Sequence, residues 1–229
     1  MTRNASARHL DTYIQQLTLL VDIVRGNIRN HLTEILDLFH HLWSNTSLHH
    51  TLVALVENLA KALDTDFKPH LPAVLPQILT VFDQPVGDKQ QHQAALRVYS
   101  ALLAFGSNIE EYLHLCLPVI VNSMNHPEPA IRKAAVTTIG GLAKRVNLSE
   151  YASRIIHPLI RALPAGSNEF KTAAMDTMCT LVFQLGSDFA IFVPMVKKAR
   201  EHMDSIHLSL TLSHSVCWQT VYSSRSTTS

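Results

Sequence analysis

The stretch TLVALVENLAKALDTDFKPHLPAVLPQIL, residues 51–79, decides the fold. Its first half carries Leu52, Val56, Leu59 and Leu63 at spacing i, i+4, i+7, i+11, which lines one face of a helix with apolar side chains. Its second half carries Leu71, Leu75 and Ile78, with Phe82 just beyond, a shorter stripe of the same period. Between the two stands Asp66-Phe67, an acidic residue followed by an aromatic one. The stretch therefore reads as one helix, a short connection and the start of the next helix.

The same quartet returns three more times, as Ala95, Tyr99, Leu102, Gly106; as Ala135, Ile139, Leu142, Val146; and as Ala174, Met178, Leu181, Leu185. Successive starting positions advance by 43, 40 and 39 residues, the period of HEAT and armadillo units. Each quartet is followed by an acidic-aromatic pair: Asp66-Phe67, Glu111-Tyr112, Glu150-Tyr151 and Asp188-Phe189. A proline comes next in each unit, at Pro72, Pro118, Pro158 and Pro194. In the first turn of a helix proline gives up only a donor that had no partner, so these positions predict helix starts. Two further short stripes, Leu113, Leu117, Ile120, Met124 and Ala152, Ile156, Leu159, Leu163, supply first helices for the later pairs. Turn-rich links at 83–88, 125–129 and 164–168 join first to second helices.

Upstream, residues 17–27 read as the second helix of an earlier pair and 28–43 as the first helix of the next. No segment alternates with a period of two over a convincing length, so the predicted fold is all-α, a HEAT/armadillo-like α-solenoid of stacked antiparallel helix pairs. The expected organisation is a lead-in over residues 1–16, about four and a half helical repeats over 17–202, and a divergent tail over 203–229. Gly140-Gly141 falls inside a second helix, where each glycine costs about 1 kcal/mol relative to alanine, so a close helix approach is expected there.

Composition narrows the function. Hydrophobic residues make up 47% of the chain, enough for a continuous core, while charged residues reach only 16%, below the roughly 25% of an ordinary soluble domain. Part of the surface is therefore expected to be covered by protein partners. Nineteen basic against eighteen acidic residues, with no basic run, argue against nucleic acid. The longest uninterrupted apolar stretch, residues 115–121, is too short to cross a bilayer, and residues 1–16 lack the apolar centre of a signal peptide. Three separated cysteines, Cys116, Cys179 and Cys217, fit neither a disulfide framework nor a CxxC site, so a reducing, cytoplasmic setting is expected. The Asn-x-Ser/Thr triplets beginning at Asn4, Asn45 and Asn147 read as chance matches in that setting.

The fourteen histidines fall into no pattern that carries chemistry. In His40-His41 and His49-His50, neighbours on a helix point about 100° apart, so neither doublet presents two ligands on one face. His31, His70 and His92 follow no zinc spacing, and HExxH is absent. His114 lies two residues before Cys116, on the wrong side of a helix to activate it, so Cys116 reads as a core thiol. No phosphate-binding glycine loop and no HRD or DFG element occurs. The expected set of catalytic, cofactor-binding and metal-binding residues is accordingly empty, and no cofactor is expected. The aromatic residues Phe67, Tyr112, Tyr151 and Phe189 read as packing, given their repeat register.

Several phrases go beyond generic HEAT patterning. Residues 19–24 (LLVDIV), 111–115 (EYLHL), 150–158 (EYASRIIHP), 172–177 (TAAMDT), 181–186 (LVFQLG) and 191–196 (IFVPMV) resemble the middle HEAT region of the target of rapamycin kinase, a serine/threonine protein kinase of the phosphatidylinositol-kinase-related group. The resemblance runs from about Leu10 to about Lys198. It implies a helical platform for regulatory subunits or a dimer partner in nutrient and growth signalling, in the cytoplasm and, for the family, also at endomembrane or lysosomal surfaces and in the nucleus. The family's kinase, rapamycin-binding and FAT domains have no counterpart here, so no catalytic residue carries over. A free-standing HEAT adaptor is the alternative reading.

The chain opens with a methionine where the family's array is already under way, and it leaves the family pattern after about His202. From Met203 to Ser229, twelve of 27 residues are Ser or Thr, a composition expected to stay disordered or to mark a truncated or mis-spliced product.

Overall fold

The structure, a computed structural model, describes residues 2–83 and 89–197. The predicted tail over 203–229 and most of the predicted link at 83–88 lie outside these residues. Among the described residues there is no strand, and α-helices are joined mostly by 3-10 turns; nine of them lie wholly within those residues: α1 (Thr2–Val24), α2 (Leu32–Leu42), α3 (His49–Leu63), α4 (Leu71–Leu79), α5 (Lys89–Ala104), α6 (Leu113–Asn122), α7 (Pro129–Ala143), α8 (Ala152–Ala162) and α9 (Asn168–Leu185). The predicted α-solenoid is the observed fold. One helix, α1, spans the stretch read as a lead-in together with the start of the first repeat.

The chain divides into two compact units, Met1–Leu115 and Cys116–Ser229. In the first, the second helices α1, α3 and α5 stack in order, and in the second α7 stacks on α9. Each helix is short, and none can bury its apolar face alone, so neighbours supply the burial. Leu52, Val56 and Leu59 of α3 are fully buried, as are Ala135, Ile139 and Leu142 of α7 and Leu181 of α9.

The termini of the second helices set a register that differs from the sequence reading in one unit. Arg25, Asp64, Gly106 and Gly186 each follow a second helix and take positive φ, at 47°, 48°, 59° and 53°. Gly106 is thus a turn residue and not the last member of a helical face. Counting back from it aligns Ala94, Val98, Ala101 and Phe105 with Leu52, Val56, Leu59 and Leu63, and all four are buried. Alanines at two of these places made the neighbouring Ala95-Tyr99-Leu102 stripe, also buried, look like the repeat.

The acidic-aromatic pairs all fall in 3-10 turns, yet they are not equivalent. Three residues beyond the positive-φ position sit Ile28, Phe67, Ile109 and Phe189, each buried. Ile109, not Tyr112, takes the anchor place in its turn, and Tyr112 and Tyr151 are only half-buried. The packing reading therefore holds for Phe67 and Phe189.

The prolines fall early in the first helices, as expected, though not all in the same turn. Pro72 stands at the start of α4, but Pro118 and Pro158 lie inside α6 and α8, in the second turn. Both helices begin where their apolar stripes begin, at Leu113 and Ala152, and a proline in the second turn removes one i to i−4 bond.

Candidate functional site

In a stack of this kind the surfaces available for function are the outer faces of the second helices and the seams between them. Gly140 shows why the α7–α9 seam is tight. A Cβ added there would meet Thr177 Oγ1 at 2.7 Å, and that hydroxyl donates to the Val136 carbonyl at 3.0 Å. The predicted close approach is thus real at Gly140.

Beside this contact a shallow groove of about 510 Å³ runs between α7 and α9, floored by Gly140, Gly141 and Ala173 and edged by Thr137, Thr172 and Thr180. At one end Lys133 Nζ pairs with Glu169 Oε2 at 2.7 Å, both side chains being well exposed. Exposed pairs of this kind contribute little to stability.

The exit from α7 is built differently from the other second helices. Gln184 of α9 donates through Nε2 to the carbonyls of Ala143 at 3.0 Å and Val146 at 2.7 Å, and its Oε1 accepts from the Leu148 amide at 2.8 Å. The orphan carbonyls of one helix end are satisfied by the next repeat. In the first unit Asn108 Nδ2 donates to the Asp64 carbonyl at 3.0 Å, and Asn58 Nδ2 to the Thr18 carbonyl at 3.4 Å. No pattern of apolar spacing could have identified these three amides.

Glu57 is a buried acid on α3, its side chain 5% exposed. Lys61 Nζ lies 2.5 Å away, Ser100 Oγ donates at 2.7 Å and Arg97 Nη1 stands at 3.5 Å. A carboxylate so enclosed is tied to the α3–α5 seam and has no free face for catalysis. On the turns, Arg29 pairs with Asp66, and Lys68 Nζ with Glu111 Oε1 at 2.7 Å.

The histidines are dispersed. His49 is buried, stacked on Trp43 with centroids 4.1 Å apart, and its Nε2 donates to the Trp43 carbonyl at 2.8 Å. Burial pushes its pKa below the usual 6.5. His50 beside it is half-buried and is also pushed down, by burial first and then by Arg97. His40 Nδ1 donates to the Leu36 carbonyl, while His31 faces Glu34. Among the described residues no three of His, Cys, Asp and Glu converge as a metal-holding group. Cys116 is fully buried, and burial raises its pKa to about 12, so the nucleophilic thiolate is suppressed at neutral pH. His114 is exposed on the same helix.

The stretch Asn168–Lys197 has a mean hydropathy of 1.6 over its most apolar window and is long enough, by length and composition, to cross a membrane. Averaging over a window reveals this where the longest uninterrupted apolar run did not. The α-helix ends at Leu185, Gly186 turns the backbone at φ 53°, and Ala174, Thr177, Met178 and Leu181 are buried. One face of this helix packs in the stack, 33% of the apolar window being buried, and a turn follows it.

A family profile described as "Stalled ribosome sensor GCN1-like, HEAT repeats" matches residues 46–210. The chain belongs to this HEAT-repeat family. Among curated proteins it is 40% identical over 199 residues to serine/threonine-protein kinase tor1 of Schizosaccharomyces pombe, 35% over 197 residues to TOR2 of Saccharomyces cerevisiae and 36% over 199 residues to mTor of Drosophila melanogaster. Each match takes in 86% of this chain and 8% of the relative. The HEAT segment is thus related to a HEAT region of the TOR kinases, as the sequence phrases implied, and it spans about 8% of the length of these relatives.

Proposed function

We propose that this chain is a non-catalytic scaffold segment, a HEAT platform that serves assembly of a TOR-type kinase complex and, through it, nutrient and growth signalling. The observation that carries this reading is identity of 35–40% to TOR kinases over 86% of the chain, in a region made of stacked helix pairs. The HRD and DFG elements of a kinase do not occur in the sequence. Its partners are proteins, recognised through the exposed helix faces and turns, and its setting is the cytoplasm.

A chimera tests the proposal. The matched 199 residues of S. pombe tor1 are replaced by the corresponding residues of this chain, and the product is assayed for complex assembly by co-purification and for support of growth. Assembly and growth close to those of the parent kinase are expected. A chimera that accumulates to normal levels yet neither assembles nor supports growth would overturn the assignment.

A further inference from the structure

Building on the scaffold reading above, we propose that the groove between α7 and α9 holds an acidic side chain of a partner protein, in the place that Glu57 fills between α3 and α5. The two seams are the same place in two repeats. The buried residues Leu52, Val56, Leu59 and Leu63 align α3 with Ala135, Ile139, Leu142 and Val146 at α7, and the turn glycines Gly106 and Gly186 align α5 with α9. Glu57 then corresponds to Gly140, Lys61 to Lys144, Arg97 to Thr177 and Ser100 to Thr180.

In the first seam the Glu57 carboxylate is held through Oε1 by Lys61 Nζ at 2.5 Å and by Ser100 Oγ at 2.7 Å. The second seam keeps the ammonium, as Lys144, and the hydroxyl, as Thr180, but has no carboxylate at the place between them. Both residues line the groove of about 510 Å³ instead. Its two walls, α7 and α9, are described in full, so the opening comes from what lines it: glycine where the other seam has Glu57, and threonine where it has Arg97. Thr177 turns its hydroxyl to the Val136 carbonyl, at 3.0 Å.

The lining also limits what can enter. At the far end Lys133 is paired with Glu169 at 2.7 Å, so an incoming acid meets Lys144. Asp176, on the α9 edge one turn before Thr180, repels a second acid. Gly140, Gly141 and Ala173 allow a backbone to come close to the floor. From Lys144 to Lys133 the groove runs about 16 Å along α7, the length of about five extended residues. The occupant is thus an extended segment with one Glu or Asp, carrying small residues on the side toward Lys133. Thr180 Oγ1, which donates to the Asp176 carbonyl at 3.0 Å, rotates to donate to the incoming carboxylate as Ser100 does to Glu57.

Phage-displayed random peptides of about twelve residues, selected on the full chain against Lys144→Glu as competitor, test this. Lys144 is exposed, so the variant should keep the wild-type circular dichroism spectrum. Selected peptides are expected to share one acidic residue, to bind Lys144→Glu at least about tenfold more weakly, and to regain affinity for it when that acid is changed to lysine. The variant Gly140→Glu/Thr177→Arg, which rebuilds the filled seam, should lose the peptides while remaining helical. Failure to select any peptide that tells wild type from Lys144→Glu overturns the proposal. So does a selected peptide whose acid-to-lysine change restores nothing, or a rebuilt seam that is folded and still binds. Binding is read on this chain alone, so these outcomes judge the groove, whereas the chimera judges the scaffold assignment.

Discussion

Gly140→Ala should reverse the sign of its effect according to what stands at residue 177. Alanine is the better helix former by about 1 kcal/mol, so in an open helix the change would stabilise. In α7 the new Cβ would lie 2.7 Å from Thr177 Oγ1. Relief requires the hydroxyl to swing away, which forfeits its buried bond to the Val136 carbonyl, a loss of about 1–3 kcal/mol. The net change in the wild-type background is thus neutral to destabilising by about 2 kcal/mol. With Thr177→Ala the offending oxygen is gone, and the next atoms, Thr177 Cα and Cβ, stand at 3.5 Å, an ordinary contact. There the same substitution should stabilise by up to about 1 kcal/mol. A double-mutant cycle read by urea denaturation with far-ultraviolet circular dichroism gives the coupling, expected at about 1–3 kcal/mol. Equal stabilisation by about 1 kcal/mol in both backgrounds would refute the argument.

Leu142→Asp, which puts an unpaired charge at a fully buried site in the second unit, should cost several kcal/mol, whereas Lys144→Asp on the exposed side of the same helix end should be nearly neutral in thermal melts. Gln184→Leu keeps the volume but strips two carbonyls and one amide of their partner, and should cost about 2 kcal/mol with faster hydrogen exchange at the Leu148 amide. Unchanged exchange there would show that the glutamine does not hold the end of α7.

The helical period was legible because a 3.6-residue stripe survives wherever the buried side chains are large. Leu52, Val56, Leu59 and Leu63 announce themselves; Ala94 and Ala101 do not, because alanine is as common on helix surfaces as in seams. The one-residue slip in the second quartet follows from that. The starts of α6 and α8 were legible in the first members of their stripes, Leu113 and Ala152, whereas nothing in the pattern told that Pro118 and Pro158 fall in the second turn and not the first. Gly140 was legible because two adjacent glycines in a helix are costly and need a reason. The amides of Asn58, Asn108 and Gln184 were not, since their partners are carbonyls about forty residues earlier and no local pattern records such a bond.

Those long-range amides have a consequence for synthesis. The carbonyls of Asp64, Ala143 and Val146, at the ends of α3 and α7, are completed by side chains that leave the ribosome 38 to 44 residues later. The ends of α3 and α7 therefore emerge still turned to solvent, and each becomes fully secured one repeat behind the growing chain. Assembly in this order gives the nascent protein a polarity, amino end first, and makes a pause within any pair a moment when the pair before it is still loosely tied.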